Sequence, residues 1–273
     1  MQKSFSTGHP NSEHIPALKK LWAEVFGDSL EVINNFFEKT AKPENTVCVF
    51  CDNEPVSVLY AVKSEIYVDS KPKSAYYIYA VCTRADYRGK GLMAKAMAFL
   101  EELARKRGVS YLFLVPAQSS LFNMYEKFGF RVGFKRNKRV VTKTDYYIFD
   151  GEVQSLSFGE YKKQRLLFGT APQAVLCEDG FNSFYKPVGC EMNCFAVKNK
   201  GFAVYEKENG IVSVFEVFGD KNELLSAIFR ITEVNEISVY ENEICGAEPY
   251  GMIKSLDGSP LFDNGFFGVS YGG

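Results

Sequence analysis

A short glycine turn, Arg88-Gly89-Lys90-Gly91, is the part of the sequence best suited to bind an anion. Glycine lets the backbone approach a ligand because no Cβ is in the way, and Arg88 and Lys90 add positive charge. A helix-like pattern follows, so backbone N–H groups at the start of that helix would point at the anion. These features are compatible with a phosphate site. The alternative, a plain strand–turn–helix connection whose two basic side chains are solvated, explains the turn equally well.

Two more specific phosphate-binding motifs fit the sequence poorly. A P-loop needs Gly-Lys-Ser or Gly-Lys-Thr, and neither tripeptide occurs in the chain. Gly89, Gly91 and Ala94 match the dinucleotide pattern, but residues 84–88 separate the first glycine from its strand. The next strand also ends without the acidic residue that holds the ribose. A dinucleotide-dependent oxidoreductase is therefore a disfavoured alternative.

The spacing of apolar residues predicts the elements that would position this turn. Helices are expected at 15–26, 29–40, 92–107 and 119–128, the last with Ser119 or Ser120 as its cap. Strands are expected at 46–50, 55–68, 75–83, 111–115, 130–136 and 138–149. This order predicts an α/β fold of the α+β type, a mixed sheet with helices on its faces.

The character of the sequence changes near Asp150. Residues 151–273 contain strand-like runs at 202–207, 211–218 and 236–241 and one clear helix at 222–231, without a catalytic motif. The length suits two domains. We therefore expect one domain at 1–150 and a second, smaller α/β domain of unknown role at 151–273, loosely echoing the first.

Composition and charge exclude several classes of protein. The net charge of −1 gives no basic field that would attract nucleic acid. No apolar run approaches the length of a membrane span, and the N-terminus lacks the apolar core of a signal peptide. We therefore expect a cytoplasmic protein without a nucleic-acid or membrane partner.

The cysteines and histidines do not indicate a metal site. The chain has seven scattered cysteines and two histidines, both near the N-terminus, so a zinc site is hard to assemble. Cys48, Cys82 and Cys177 lie in apolar runs and are expected to be buried thiols. A redox role for Cys48 and Cys51 is a weaker alternative, because their surroundings are not the start of a helix.

Two sequence blocks together resemble the GCN5-related N-acetyltransferase (GNAT) superfamily. Val81-Cys82-Thr83 and the following turn resemble its pyrophosphate motif, [Q/R]xxGx[G/A]; Arg88 and Gly91 match, and Met93 departs from the final Gly or Ala. Tyr125 to Phe130, "YEKFGF", resembles the end of the superfamily's last helix. The two blocks cover roughly the first half of the chain, where the family's first strand is short or absent.

The resemblance implies an acetyl-CoA-dependent N-acetyltransferase. Its expected CoA contacts are Val81, Cys82, Thr83, Arg88, Gly89, Lys90, Gly91, Leu92, Met93 and Ser120. The backbone N–H of Val81 would polarise the acetyl carbonyl, and Tyr125 would protonate the departing thiolate as a general acid. The base is not evident, since Glu65 and Asp69 are more typical of solvated charges. No metal is implied.

The resemblance does not identify the acceptor, which is an amine on either a small molecule or a peptide. It also does not decide whether the protein forms a homo-oligomer. A non-catalytic acyl-CoA sensor is the alternative, which would keep residues 88–91 but would not need Tyr125. The layout also loosely resembles the enhanced-intracellular-survival type of acetyltransferase, without its third domain. In that type the terminal carboxylate enters the active site, so we hypothesise that Gly273 packs near Tyr125.

Overall fold

The computed structural model describes residues 4–68, 71–169, 172–185, 192–241 and 247–268. Its α-helices are α1 Ile15–Phe26, α2 Leu30–Lys39, α3 Leu92–Lys106, α4 Phe122–Glu126, α5 Phe158–Phe168, α6 Glu178–Phe184 and α7 Lys221–Thr232. Its strands are β1 Phe5–Gly8, β2 Thr46–Cys51, β3 Glu54–Val68, β4 Lys71–Thr83, β5 Tyr111–Leu114, β6 Arg131–Thr142, β7 Val153–Ser155, β8 Gln173–Leu176, β9 Met192–Val197, β10 Gly201–Glu208, β11 Ile211–Gly219, β12 Glu236–Glu241 and β13 Glu248–Ser255. No helix within these ranges is long and apolar enough to span a membrane.

The strands form one mixed sheet in the order β1-β2-β3-β4-β5-β13-β6-β12-β11-β10-β9-β7, with β8 paired to β3. The pairs β4–β5 and β11–β12 are parallel. In each half of the chain a helix, α3 or α7, connects the two parallel strands. This is the mixed α/β fold that the sequence predicts, and the short first strand β1 is present.

Strand β13, from the end of the chain, lies between two strands of the first half. It pairs antiparallel with β5 on one side and with β6 on the other. Strand β6 in turn pairs with β13 through residues 131–136 and with β12 through residues 137–142. Both halves of the sequence therefore contribute to one sheet, and the division at residue 150 stays a prediction.

Helices cover both faces of the first-half sheet. Helices α1, α2 and α6 pack on one face, around the fully buried ring of Trp22 and the buried ring of Phe36. Helices α3 and α4 pack on the other face, around Leu100 and Leu112. The alternation of buried residues along β4 supplies both cores, because successive side chains point to opposite faces of a strand.

Two local predictions were wrong. The strands expected at 130–136 and 138–149 are a single strand, β6, because the chain passes without a break from pairing with β13 to pairing with β12. The helix expected at 119–128 begins as a 3₁₀ turn at Ser119–Leu121 and ends at Glu126. Gln118 occupies the cap position and makes no side-chain capping bond, so neither serine caps it.

The cysteine predictions hold in part. Cys48 and Cys82 are buried, as expected, whereas Cys177 is partly exposed. Cys48 and Cys51 contribute to cores on opposite faces of the sheet, so the CxxC spacing does not form a redox pair. Burial raises the pKa of the Cys48 thiol well above its usual value.

The C-terminal segment returns across the sheet to the middle of the fold. The Gly265 N–H donates to the Gly133 carbonyl at 2.8 Å, and the Phe266 N–H donates to the Pro172 carbonyl at 2.9 Å. The ring of Phe267 packs edge-on against Tyr77 at 4.9 Å between centroids. Gly273, which we hypothesised to lie near Tyr125, falls outside the described residues.

We expect Ile253→Ala, in β13, to lower the free energy of unfolding by about 2–5 kcal/mol, because Ile253 is fully buried and the substitution leaves a cavity. Val140→Ala is the control: Val140 lies on the neighbouring strand β6 and is 51% exposed, so its effect should stay within about 0.5 kcal/mol. Urea unfolding of both variants measures the difference. Equal stabilities would contradict the central position of β13.

Candidate functional site

Strands β4 and β5 separate and leave one edge of β4 open. Their parallel pairing begins at Ala75 with Tyr111 and ends at Ile78 with Leu114. Strand β4 continues to Thr83, and within the described part of the chain this last stretch pairs only with β3. An unpaired strand edge presents N–H and C=O groups that an extended ligand can bind like an added strand. The opening includes Val81, Cys82 and Thr83, the predicted pantetheine contacts.

A β-bulge lies in the middle of this open edge. Val58 pairs with Cys82 and Tyr60 with Tyr79, so Ala80 and Val81 both face Leu59. Ala80 has a φ of 46°, a left-handed conformation that costs an L-residue about 1–2 kcal/mol. Bulges leave an extra residue outside the regular ladder and redirect its groups. The backbone at Val81 is therefore placed differently from that of a regular strand.

The glycine turn forms the N-terminus of α3. Gly89 and Gly91 have φ values of 75° and 70°, which a residue with a Cβ rarely adopts. The first helical hydrogen bond runs from the Lys95 N–H to the Gly91 carbonyl at 3.3 Å. The N–H groups of residues 92–94 consequently have no acceptor within the helix. Such a terminus is a ready anion site.

The two basic side chains of the turn are exposed but held by backbone carbonyls. The Arg88 Nε donates to the Thr83 carbonyl at 3.1 Å, which ties the turn to the end of the open edge of β4. The Lys90 Nζ donates to the Asp86 carbonyl at 2.8 Å and lies 4.7 Å from the centroid of the Tyr87 ring. Both cations are thus held by the segment that leads into the turn before α3.

The departure from the family motif at Met93 has a structural explanation. Leu92 is buried and Met93 is partly buried, and both pack against the core beneath α3. Their side chains therefore point away from the N-terminal opening of the helix, and only their backbone N–H groups face it. A larger residue in place of Gly or Ala is compatible with an anion at this position.

Tyr125 lies in α4, on the α3 side of the sheet. It is buried, and burial raises its pKa to about 12. Tyr77 lies on the other face of β4, where burial raises its pKa first and the hydroxyls of Tyr250, Tyr79 and Tyr125 raise it further. Tyr77 and Tyr125 therefore lie in the cores on the two faces of the sheet, which Tyr79 and Val81 of the open edge also pack against.

Three other predicted residues are less informative. Ser120 is exposed in the 3₁₀ turn before α4, and its role stays a prediction. The Glu65 carboxylate forms an ion pair with Lys162 at 2.7 Å and accepts a hydrogen bond from the Tyr67 hydroxyl at 2.5 Å, which assigns it a structural role. Asp69 lies outside the described residues.

An aromatic wall on the other face of the opening was not predicted. The ring of Tyr79 packs against Trp22, Phe36 and Phe184, with centroid separations of 5.3–5.6 Å. Burial raises the pKa of Tyr79, and the negative charges of Asp28 and Glu206 raise it further. These residues come from separate helices and from both halves of the chain, so no local spacing could have indicated their proximity.

A family model agrees with this geometry. Residues 9–133 match the model described as an acetyltransferase (GNAT) domain. The chain carries a GNAT domain. The match includes the open edge of β4, the glycine turn and Tyr125, as the resemblance from sequence implied. This match supports acyl transfer in general terms.

Solved structures share the fold of almost the whole chain. A probable N-acyltransferase from Enterococcus faecalis V583 has a TM-score of 0.73 at 14% identity, covering 94% of this chain and 73% of that one. A GCN5-related N-acetyltransferase from Kribbella flavida has a TM-score of 0.73 at 14% identity, covering 93% and 72%. Eis1 from Mycobacterium abscessus has a TM-score of 0.64 at 10% identity, covering 93% and 74%. No curated protein shows significant sequence similarity to this chain.

We expect Arg88→Gln to weaken CoA binding about ten- to hundredfold, because it removes a charged hydrogen-bond donor beside the turn. Isothermal titration with CoA measures the dissociation constant. Lys106→Gln is the matched control, since Lys106 is exposed at the far end of α3 and pairs only with Glu102. Equal weakening in both variants, or in neither, would contradict a phosphate site at the turn.

Proposed function

We propose that the protein transfers an acetyl group from acetyl-CoA to a primary amine. One observation carries this proposal: the open edge of β4 is tied at Thr83 to the turn before α3, and Val81 on that edge packs against the core that contains Tyr125. A phosphate-bearing cosubstrate on the turn could extend along the edge and bring its thioester to the Tyr125 hydroxyl. Residues 1–150 would form the catalytic part, and residues 151–273 would enclose the acceptor.

The reaction would form one bond and break one. The amine nitrogen attacks the thioester carbonyl carbon, a C–N bond forms and the C–S bond breaks. The backbone N–H of Val81, redirected by the bulge, would donate to the carbonyl oxygen as negative charge develops there. Tyr125 would give its proton to the departing sulfur, and water would carry away the proton of the amine.

The surroundings of Tyr79 favour a cationic acceptor. Asp28 and Glu206 place negative charge near its hydroxyl, and the partly buried ring of Tyr79 itself can hold an ammonium group by cation–π attraction. This face of the sheet is opposite to the one that carries α3 and Tyr125. The amine would therefore approach the thioester from the side away from Tyr125.

A non-catalytic acyl-CoA sensor is the alternative, because the glycine turn alone would serve it. Tyr125 distinguishes the two hypotheses, since an acetyltransferase needs a proton donor beside the sulfur and a sensor does not. Turnover of acetyl-CoA with a panel of amines, followed by release of free CoA thiol, tests the proposal directly. The sensor alternative requires CoA binding without turnover of any amine.

Tyr125→Phe should lower kcat by about 10²–10⁴-fold, because it removes the general acid, and it should leave the CoA dissociation constant nearly unchanged. Tyr147→Phe is the control, since Tyr147 is an exposed tyrosine in the loop after β6. Steady-state kinetics and CoA titration measure the two effects. Unchanged turnover in Tyr125→Phe would contradict the acid role.

The proton of Tyr125 should stay bound up to strongly alkaline pH. Its pKa is raised to about 12 from 10.0, so the acid form persists between pH 9 and 11, whereas a tyrosine at its usual value would lose most of its protons there. An ultraviolet difference titration of wild type against Tyr125→Phe should show no tyrosinate signal in this range. A difference signal centred near pH 10 would contradict the buried hydroxyl.

A further inference from the structure

A cavity of about 490 Å³ lies beyond the end of β5, on the side of that strand away from β4. The loop after β5 and the strands β6, β12 and β13 enclose it, and Val115 is one of its lining residues. Val115 directly follows Leu114, the last residue of β5 that pairs with β4. The cavity and the opening between β4 and β5 therefore begin at the same end of β5.

Arg136 projects a fixed guanidinium into the lining of this cavity. The guanidinium carbon lies 3.8 Å from the centroid of the Tyr250 ring and 4.4 Å from that of Tyr240. Both tyrosines also line the cavity. Two aromatic contacts restrict the orientation of the guanidinium before any ligand binds, and this lowers the entropic cost of ligand binding.

The donors of this guanidinium are unused. The Arg136 side chain forms no ion pair or hydrogen bond with another residue in the described part of the chain, although Lys135 and Arg139 on the same strand pair with Asp263 and Glu241. Glu248 lies opposite Arg136 in the register of β13 and forms no ion pair with it. Five N–H donors in a planar arrangement suit a carboxylate or a phosphate.

Tyr250 connects the cavity to the reacting groups. Its ring packs on Arg136, and its hydroxyl is among those that raise the pKa of Tyr77, together with that of Tyr125. Across the opening, Asp28 and Glu206 supply negative charge beside Tyr79. The Tyr79 side therefore carries negative charge, whereas the cavity has two cations, Arg136 and Lys138, and one carboxylate, Glu248.

We infer that the acceptor carries an anionic group next to its amine and that Arg136 binds this group. This inference rests on the proposed acetyl transfer, and it narrows the acceptor to a zwitterionic amine such as an amino acid or a phosphorylated amine. Lys138, which also lines the cavity, adds a second positive charge. Amines with positive charge only, such as polyamines, would leave the Arg136 donors unpaired.

Matched pairs of acceptors test this inference by turnover. Tyrosine and tyramine, lysine and cadaverine, and arginine and agmatine differ by a carboxylate, and phosphoethanolamine and ethanolamine differ by a phosphate. We expect an anionic member to have the lower KM in at least one pair. Arg136→Gln should raise that KM about ten- to hundredfold, with kcat and the KM of the partner amine changed less than about twofold.

Two further variants serve as controls. Arg131→Gln removes an exposed arginine from the start of the same strand and should leave every KM unchanged. Glu248→Gln removes the negative charge opposite Arg136 and should lower the KM of the anionic acceptor. The inference would be overturned if the wild type showed no lower KM for any anionic acceptor, or if Arg136→Gln kept that lower KM. In either case, turnover of an amine would still support the proposed acetyl transfer.

Binding of the products separates the inference from the proposed function. If no amine is turned over, the acetyl transfer proposal fails. Anion binding by Arg136 can then still be measured by isothermal titration with N-acetyl amino acids and N-acetylphosphoethanolamine. Binding of one of these probes to the wild type at least tenfold more tightly than to Arg136→Gln supports the anion site. Equal binding, or no binding to the wild type, overturns it.

Discussion

The separation of β4 from β5 is the constraint on which the rest of the site depends. As long as the two strands pair, their facing N–H and C=O groups satisfy each other and offer nothing to a ligand. Where the pairing ends after Ile78 and Leu114, β4 gains a free edge, α3 begins beyond its end, and residues from the two faces of the sheet come near one another. The bulge at Ala80 adds a strained residue at this point, and such strain persists only where the surrounding structure compensates for it.

The two faces of the opening have different chemical characters. The α3 side offers unpaired helical N–H groups, Arg88 and Lys90, which suit the phosphates of a cosubstrate. The other side offers aromatic rings around Tyr79, carboxylates near it and the stacked guanidinium of Arg136. A cosubstrate and an acceptor that enter from opposite faces would meet without competing for the same groups. The second half of the chain contributes Phe184, Glu206, Tyr240 and Tyr250 to this other side, and it contributes Met252 and Leu256 to the core on the α3 side.

The parts of the site that sequence reasoning could predict are those built from consecutive residues. The glycine turn follows from the φ requirements of Gly89 and Gly91, and Tyr125 from the block around it. Neither Arg136 nor the wall around Tyr79 has a local signal, because long-range strand pairing and helix packing create both. Strand β6 was predicted as two strands separated at Asn137, but its neighbours β13 and β12 hold residues 131–142 in one strand. Elements β7, β8, β9 and α6 are too short to show a recognisable period, and α5 has no apolar stripe because its buried residues are Tyr161 and Arg165.

The position of β13 has a consequence for how the protein folds during synthesis. Strands β5 and β6 are complete once residue 142 has emerged, but the strand between them extends to Ser255. At about 5–20 residues per second, the nascent chain would spend roughly 5–25 s with this gap open. Contacts of such large sequence separation are also slow to form, because the intervening loop must close first. The GNAT domain is therefore encoded early in the chain but can complete its sheet only after Ser255 has emerged.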